Sequence, residues 1–93
     1  MENIDTDRVL INRAQAGDEK AFDILTNQYR RKLERLLSSL IHDPAAVNLV
    51  AQETIQRAFR ALPSFRGECA FCTWLYRIGV DTAKSHSIAQ EHQ

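Results

Sequence analysis

The run Arg60–Lys84, RALPSFRGECAFCTWLYRIGVDTAK, gathers four aromatics (Phe65, Phe71, Trp74, Tyr76) and three arginines (Arg60, Arg66, Arg77) around a loop holding both a proline and a glycine. Pro63 blocks continuation of any helix before it, and Gly67 permits a backbone angle that other residues resist. Beyond the loop, Phe71, Trp74, Leu75 and Ile78 recur at helical spacing as a core stripe, while Thr73, Arg77, Asp81 and Lys84 form a polar stripe on the same helix. Two roles suit such a segment. It can be a buried corner whose aromatics are simply core, the better reading for Phe71 and Trp74, with Trp74 able to serve both. Or it can stack on unpaired bases and neutralise phosphates, with the loop around Phe65 as a base pocket.

The rest of the chain reads as helices that support this run. Val9, Leu10 and Ile11 fit a short first helix, capped by Asp5 or Thr6 and ended by Gly17. Asp18 reads as the N-cap of a long second helix whose apolar positions Phe22, Leu25, Tyr29, Leu33, Leu36 and Leu40 step by three and four. Arg30, Arg31, Lys32 and Arg35 lie largely off that stripe and read as a solvated face. Asp43-Pro44 restarts a third helix, expected over about 44–62, because proline is favoured at the first helical position behind an aspartate cap. Val47, Val50, Ala51, Thr54, Ala58, Ala61 and Leu62 keep to its apolar side. Gln52, Glu53, Gln56, Arg57 and Arg60 keep to the other, and Leu49 breaks the division by falling among them. The fourth helix is expected from about Cys69 to Ala89, with the tail SIAQEHQ fraying. There is no strand alternation, repeat or low-complexity tract. The fold class expected is all-α, a compact bundle of four helices.

Composition bounds the function. Ninety-three residues, 44% of them hydrophobic, suit one domain over residues 1–93, ordered from about 5 to 89. No run approaches the roughly 18 apolar residues of a membrane span, and the acidic start MENIDTDR is unlike a signal peptide, so no membrane insertion and a cytoplasmic location are expected. A formal net charge of zero argues against a nucleic-acid binder as a whole. Locally the balance differs: Arg57, Arg60, Arg66, Arg77 and Lys84 gather on the third and fourth helices and the loop between them, where Glu53, Glu68, Asp81 and Glu91 oppose them, while the other acids lie in the N-terminal half. Nothing resembles a nucleophile–base–acid grouping, a phosphate-cradling glycine loop or a metal motif, so neither an enzyme nor a cofactor is expected. Cys69 and Cys72 form a C-x-x-C pair without spaced histidines to complete a zinc site. Filling core positions is their favoured role; a redox pair is the other, to be dismissed if binding is equal before and after oxidant.

Taken together, AQAGDEKAFDIL (14–25), VAQETIQRAFRAL (50–62) and above all SFRGECAFCTWLYRIGVDTAK (64–84) resemble region 2 of the extracytoplasmic-function sigma factors of bacterial RNA polymerase, the sigma-E type in particular. The resemblance runs from Val9 to Lys84. It implies a module that binds the polymerase core through a coiled coil of the β′ subunit and captures unpaired bases of the promoter −10 element on the non-template strand. An anti-sigma factor is a further implied partner. By position, Leu49, Gln52, Glu53, Gln56 and Arg57 correspond to the polymerase-binding side. Arg60, Phe65, Arg66, Thr73, Trp74, Tyr76, Arg77, Asp81 and Lys84 correspond to the DNA side.

Three departures fall on those same positions. Leu49 stands where the family usually has an aspartate. Asp81 stands where an asparagine is usual, and its carboxylate repels phosphate and cannot donate, with Arg77 one turn away to offset it in part. The chain ends in AQEHQ where relatives carry basic residues and then a linker to a domain that reads the −35 element; that domain is expected to be absent. These departures define a second reading, a sigma-like module or decoy that binds polymerase or an anti-sigma factor without reading DNA.

Overall fold

The computed structural model describes residues 4–91, with side chains described for 7–87. Four helices make up the fold: α1 (Ile4–Gln15), α2 (Glu19–Ser38), α3 (Pro44–Ala61) and α4 (Phe71–Glu91), with a 3-10 turn at Leu62–Ser64. Among the described residues there is no strand, and no helix is long and apolar enough to cross a membrane. The expected all-α bundle of four helices is the fold observed.

The caps read from sequence form where local chemistry demands them. Asp18 accepts from the Ala21 amide at 3.2 Å and Asp43 from the Ala45 amide at 3.1 Å, satisfying amides that have no partner within the helix. Gly17, at φ +105°, turns the chain between α1 and α2. Arg13 then reaches across that turn to the Asp18 carboxylate at 2.7 Å. This hydrogen bond, and next the Ala21 amide, hold the Asp18 carboxyl below its usual range. Helix α1 begins earlier than expected, at Ile4, so Asp5 and Thr6 lie within its first turn; their side chains lie outside the described residues.

Three boundaries or stripes differ from the sequence reading, each for a packing reason. On α2 the buried seam runs Tyr29, Leu33, Leu37 and then Ile41 rather than through Leu36 and Leu40; Leu40 is 48% exposed and Leu36 half-buried. Steps of four hold the seam on one line, and Leu33 and Leu37 there meet α4 at Gly79. A Cβ on Gly79 would lie 2.8 Å from Leu33 Cδ1, so a side chain there would have to displace the buried Leu33 methyl. Helix α4 starts at Phe71 instead of Cys69, because Gly67 at φ +77° turns the chain and residues 67–69 are still bent. Its most buried line is Phe71, Cys72, Leu75, Gly79, Thr82 and Ala83, which leaves Trp74 and Ile78 half-buried on the flank. Helix α4 runs to Glu91, and residues 92–93 lie outside those described.

Two buried threonines close the interior without orphan hydroxyls. Thr54 donates to the Val50 carbonyl and Thr82 to that of Ile78, each at 2.7 Å. Thr54 borders the seam where a Cβ on Gly79 would also meet Leu33 and Leu37, all of them fully buried. Gly79→Val is therefore expected to destabilise the domain by about 1–3 kcal/mol, measured by urea unfolding. Asp18 tests the other end of α2. Its lowered pKa means that its contribution is complete above the ordinary carboxylate range and is lost as pH falls through the folded value. Asp18→Ala should lower the melting temperature at neutral pH, with the difference from wild type closing in acid.

Candidate nucleic-acid interface

The loop between α3 and α4 is built by its own aromatics. Pro63 sits in the 3-10 turn, the Phe65 amide donates to the Leu62 carbonyl at 3.0 Å, and Ser64 Oγ donates to that of Ala61 at 2.6 Å. The chain then drives the Phe65 ring inward, 5.0 Å from Trp74 and 5.9 Å from Phe71 between centroids, the latter edge-to-face. Phe71 in turn lies 6.2 Å from Tyr29 of α2. Phe65 is thus 9% exposed, a wall and anchor of the loop rather than an open stacking face. Sequence reading left α1 as a cover, but Gln15 of α1 donates through Nε2 to the carbonyls of Leu62 at 3.1 Å and Phe65 at 2.9 Å.

That tether shapes a pocket of about 610 Å³ between α1 and the loop, with Asp7, Arg8 and Asn12 on one wall and Phe65, Arg66 and Gly67 on the other. The expected pocket around Phe65 is present, but half of it comes from α1. Gln15, Asp7, Arg8 and Asn12 were missed by sequence reading. For Asp7 a signal existed: it occupies an apolar phase, three before Leu10 and seven before Ala14, where a charge needs a reason. Asp7 is buried and accepts through Oδ2 from the Tyr29 hydroxyl.

On α4 the polar stripe is as spaced: Thr73, Arg77, Asp81 and Lys84 are all exposed. A shallow hollow of about 430 Å³ joins Thr73, Tyr76, Arg77 and Asp81 with Val80, which sequence reading left out. Arg77 and Asp81 form no ion pair among the described residues, so the expected offset of the Asp81 charge is not made by direct contact. Arg66 is exposed beside Gly67, in the wall of the α1–loop pocket. Arg60 stands apart from both; with Gln56 it lines a hollow of about 370 Å³ between α2 and α3, floored by Phe22, Ile55 and Phe59. Phe59 is 44% exposed and packs edge-to-face on Phe22 at 5.1 Å, a surface aromatic the sequence reading did not single out.

The outer face of α3 carries the remaining candidates. Leu49 is 58% exposed, so its place among the polar residues is real, and Gln52 and Gln56 are exposed with it. Glu53 and Arg57 pair at 3.3 Å one turn apart. Arg30 of α2 donates to Asn48 at 3.1 Å, so one cation of the α2 run ties the two helices together. Cys69 is half-buried and Cys72 buried, both packed in the aromatic cluster without a disulfide between them. Among the described residues no group of histidine, cysteine and acid side chains could hold a metal.

The bundle, the aromatic loop and the exposed faces of α3 and α4 define a small all-helical domain. Residues 25–91 match sigma-70 region 2, and the chain belongs to that family. It is 46% identical over 84 residues, 90% of the chain, to the RNA polymerase sigma-H factor of Pseudomonas aeruginosa. To the ECF RNA polymerase sigma-E factor of Escherichia coli it is 48% identical over 85 residues, 91% of the chain. The chain spans 44% of the length of each of these relatives. An NMR structure of an engineered region 2 of sigma-E in complex with GTAAAA superposes with a TM-score of 0.85 at 45% identity, covering 91% of this chain and 88% of that one.

Two outcomes check this geometry. Leu49→Asp should leave helicity and melting temperature unchanged, since the side chain has no core contact to lose. Gln15→Ala should speed amide exchange at Phe65 and its neighbours while exchange along α2 and α3 stays as in wild type.

Proposed function

We propose that this domain recognises and opens the promoter −10 element and binds the RNA polymerase core during transcription initiation, in the cytoplasm. The observation that carries the reading is the likeness, at 45% identity and a TM-score of 0.85, to an engineered region 2 of sigma-E solved in complex with GTAAAA. The molecule has the parts such a task needs. Unpaired bases stack on half-exposed aromatics, each such stack being worth about 1–3 kcal/mol, and Trp74 and Tyr76 are half-buried beside an open polar face. Arg66, Arg77 and Lys84 are exposed and carry no ion pair among the described residues, free to meet phosphates. The pocket beside Phe65 suits a base extruded from its stack. Thr73 and Asp81 border the face that follows the strand, and Arg60 lies nearer the α2–α3 hollow, at the strand's edge.

For the polymerase, the exposed side of α3 with Leu49, Gln52, Glu53, Gln56 and Arg57 is the contact face for the β′ coiled coil. An anti-sigma factor is a second partner of the same kind of surface. The exposed Leu49 and the unpaired Asp81 favour a second reading, in which the domain binds polymerase or an anti-sigma factor without reading DNA.

Fluorescence anisotropy with GTAAAA and its single-position variants separates the two. Under the first reading the domain binds with a base preference and a steep salt dependence, and Asp81→Asn tightens binding several-fold by removing a charge that repels phosphate. Capture of the β′ coiled coil with no measurable binding to any oligonucleotide would establish the second. In either case Leu49→Asp should change affinity for the coiled coil.

A further inference from the structure

The pocket between α1 and the loop holds one polar group that the fold leaves unanswered. Asp7 is 7% exposed and lines the pocket. Its Oδ2 accepts from the Tyr29 hydroxyl, and its Oδ1 is buried with no hydrogen-bond partner. A buried acceptor without a donor is costly, more so when charged, and native folds rarely leave one without a reason. Oδ1 is shielded from water as well, so solvent does not make up the missing bond. The carboxyl torsion of aspartate has a broad profile, so Oδ1 can adjust within its rotamer while Oδ2 keeps the Tyr29 hydroxyl.

We infer that Asp7 is the acceptor that selects the base held in this pocket, favouring a base with an exocyclic amino group over thymine. The inference rests on the nucleic-acid reading above and adds a specificity-determining residue from α1 to it. Cytosine N4 and adenine N6 carry donors where thymine O4 is an acceptor, and aspartate taking a bond from cytosine N4 is an established pairing. With Oδ2 occupied by Tyr29, one oxygen remains, which suits a single amino donor rather than the paired donors of the guanine edge. Thymine would set its carbonyl against the carboxylate and leave both acceptors unpaired. Arg8 and Arg66 line opposite walls and are exposed, positioned for the flanking phosphates, with Glu68 the one opposing charge among the loop residues there.

The test leaves the protein intact at first. Each adenine of GTAAAA is replaced in turn by purine, which lacks the amino group, by thymine, and by cytosine paired with its amino-free analogue 2-pyrimidinone. At the pocket position, loss of the amino group should weaken binding to the wild-type chain roughly tenfold. Asp7→Ala should abolish that difference. Since Asp7→Ala strands the Tyr29 hydroxyl, the double variant Asp7→Ala/Tyr29→Phe removes both partners together and keeps the domain folded for the same measurement. Tyr29→Phe alone should retain the discrimination, which a purely structural role for Asp7 would not produce. Equal affinity for amino-bearing and amino-free strands in the wild type, or a penalty that survives removal of Asp7, overturns the assignment while leaving the interface standing. No binding to any strand by the wild-type chain overturns the interface itself, and this inference with it.

Discussion

Burial of the Phe65 ring between Phe71 and Trp74 is the contact on which the outer surface depends. Pro63 and Gly67 fix backbone angles at two points of the loop, but fixed angles do not fasten a loop to a bundle. The ring does, by removing apolar surface from water and meeting two aromatics in tilted and edge-to-face geometry. Because Phe71 opens α4, the same contact sets where that helix begins and hence how its later turns are phased. Gln15 then secures the other side of the loop by donating to the carbonyls of Leu62, which also accepts from the Phe65 amide, and of Phe65. Loop, pocket and helix face are consequences of one inserted side chain and one tether.

A neutral chain can present a basic face only if its charges are sorted by element, and here the sorting follows the core. Each helix commits one side to burial, so its charges are confined to the opposite side. On α4 that confines Arg77, Asp81 and Lys84 to one strip, and in the loop the bends push Arg66 outward. Acids nearer the N-terminus are engaged locally: Asp18 with Arg13 and the Ala21 amide, Asp7 with Tyr29. The net charge of zero is therefore compatible with a cationic working surface, and Asp81 is the residue that runs against it.

The helices were legible in the sequence because caps and breakers act over a few residues: Asp18, Asp43-Pro44, Pro63 and Gly67 each do locally what their chemistry dictates. Leu49 was legible for the same reason, since helical phase alone puts it outside. The shift of the α2 seam to Leu37 and Ile41 was not, because it depends on the missing Cβ of Gly79 on another helix. Nor was the inward turn of Phe65, where an aromatic in a polar loop reads equally well as a platform or an anchor until its neighbours are known. The α1 wall of the pocket was the largest omission. Gln15 and Asp7 act on partners 47–50 and 22 residues away, and no local pattern encodes such pairings.

The same seam that hid from sequence links the two faces. Gly79 of α4 faces Leu33 and Leu37 of α2 and the Thr54 methyl of α3 in one buried layer. Thr54 lies one residue from Glu53 on the outer face of α3, and Gly79 lies two residues from Arg77 and two from Asp81 on the face of α4. Close-packed interiors shift as units rather than yield locally. The exposed faces of α3 and α4 therefore share one buried layer, and the packing that orients one face also orients the other. Glycine at 79 leaves room for that contact: a Cβ there would lie 2.8 Å from Leu33 Cδ1, and the Leu33 side chain would have to move within the buried seam to admit it.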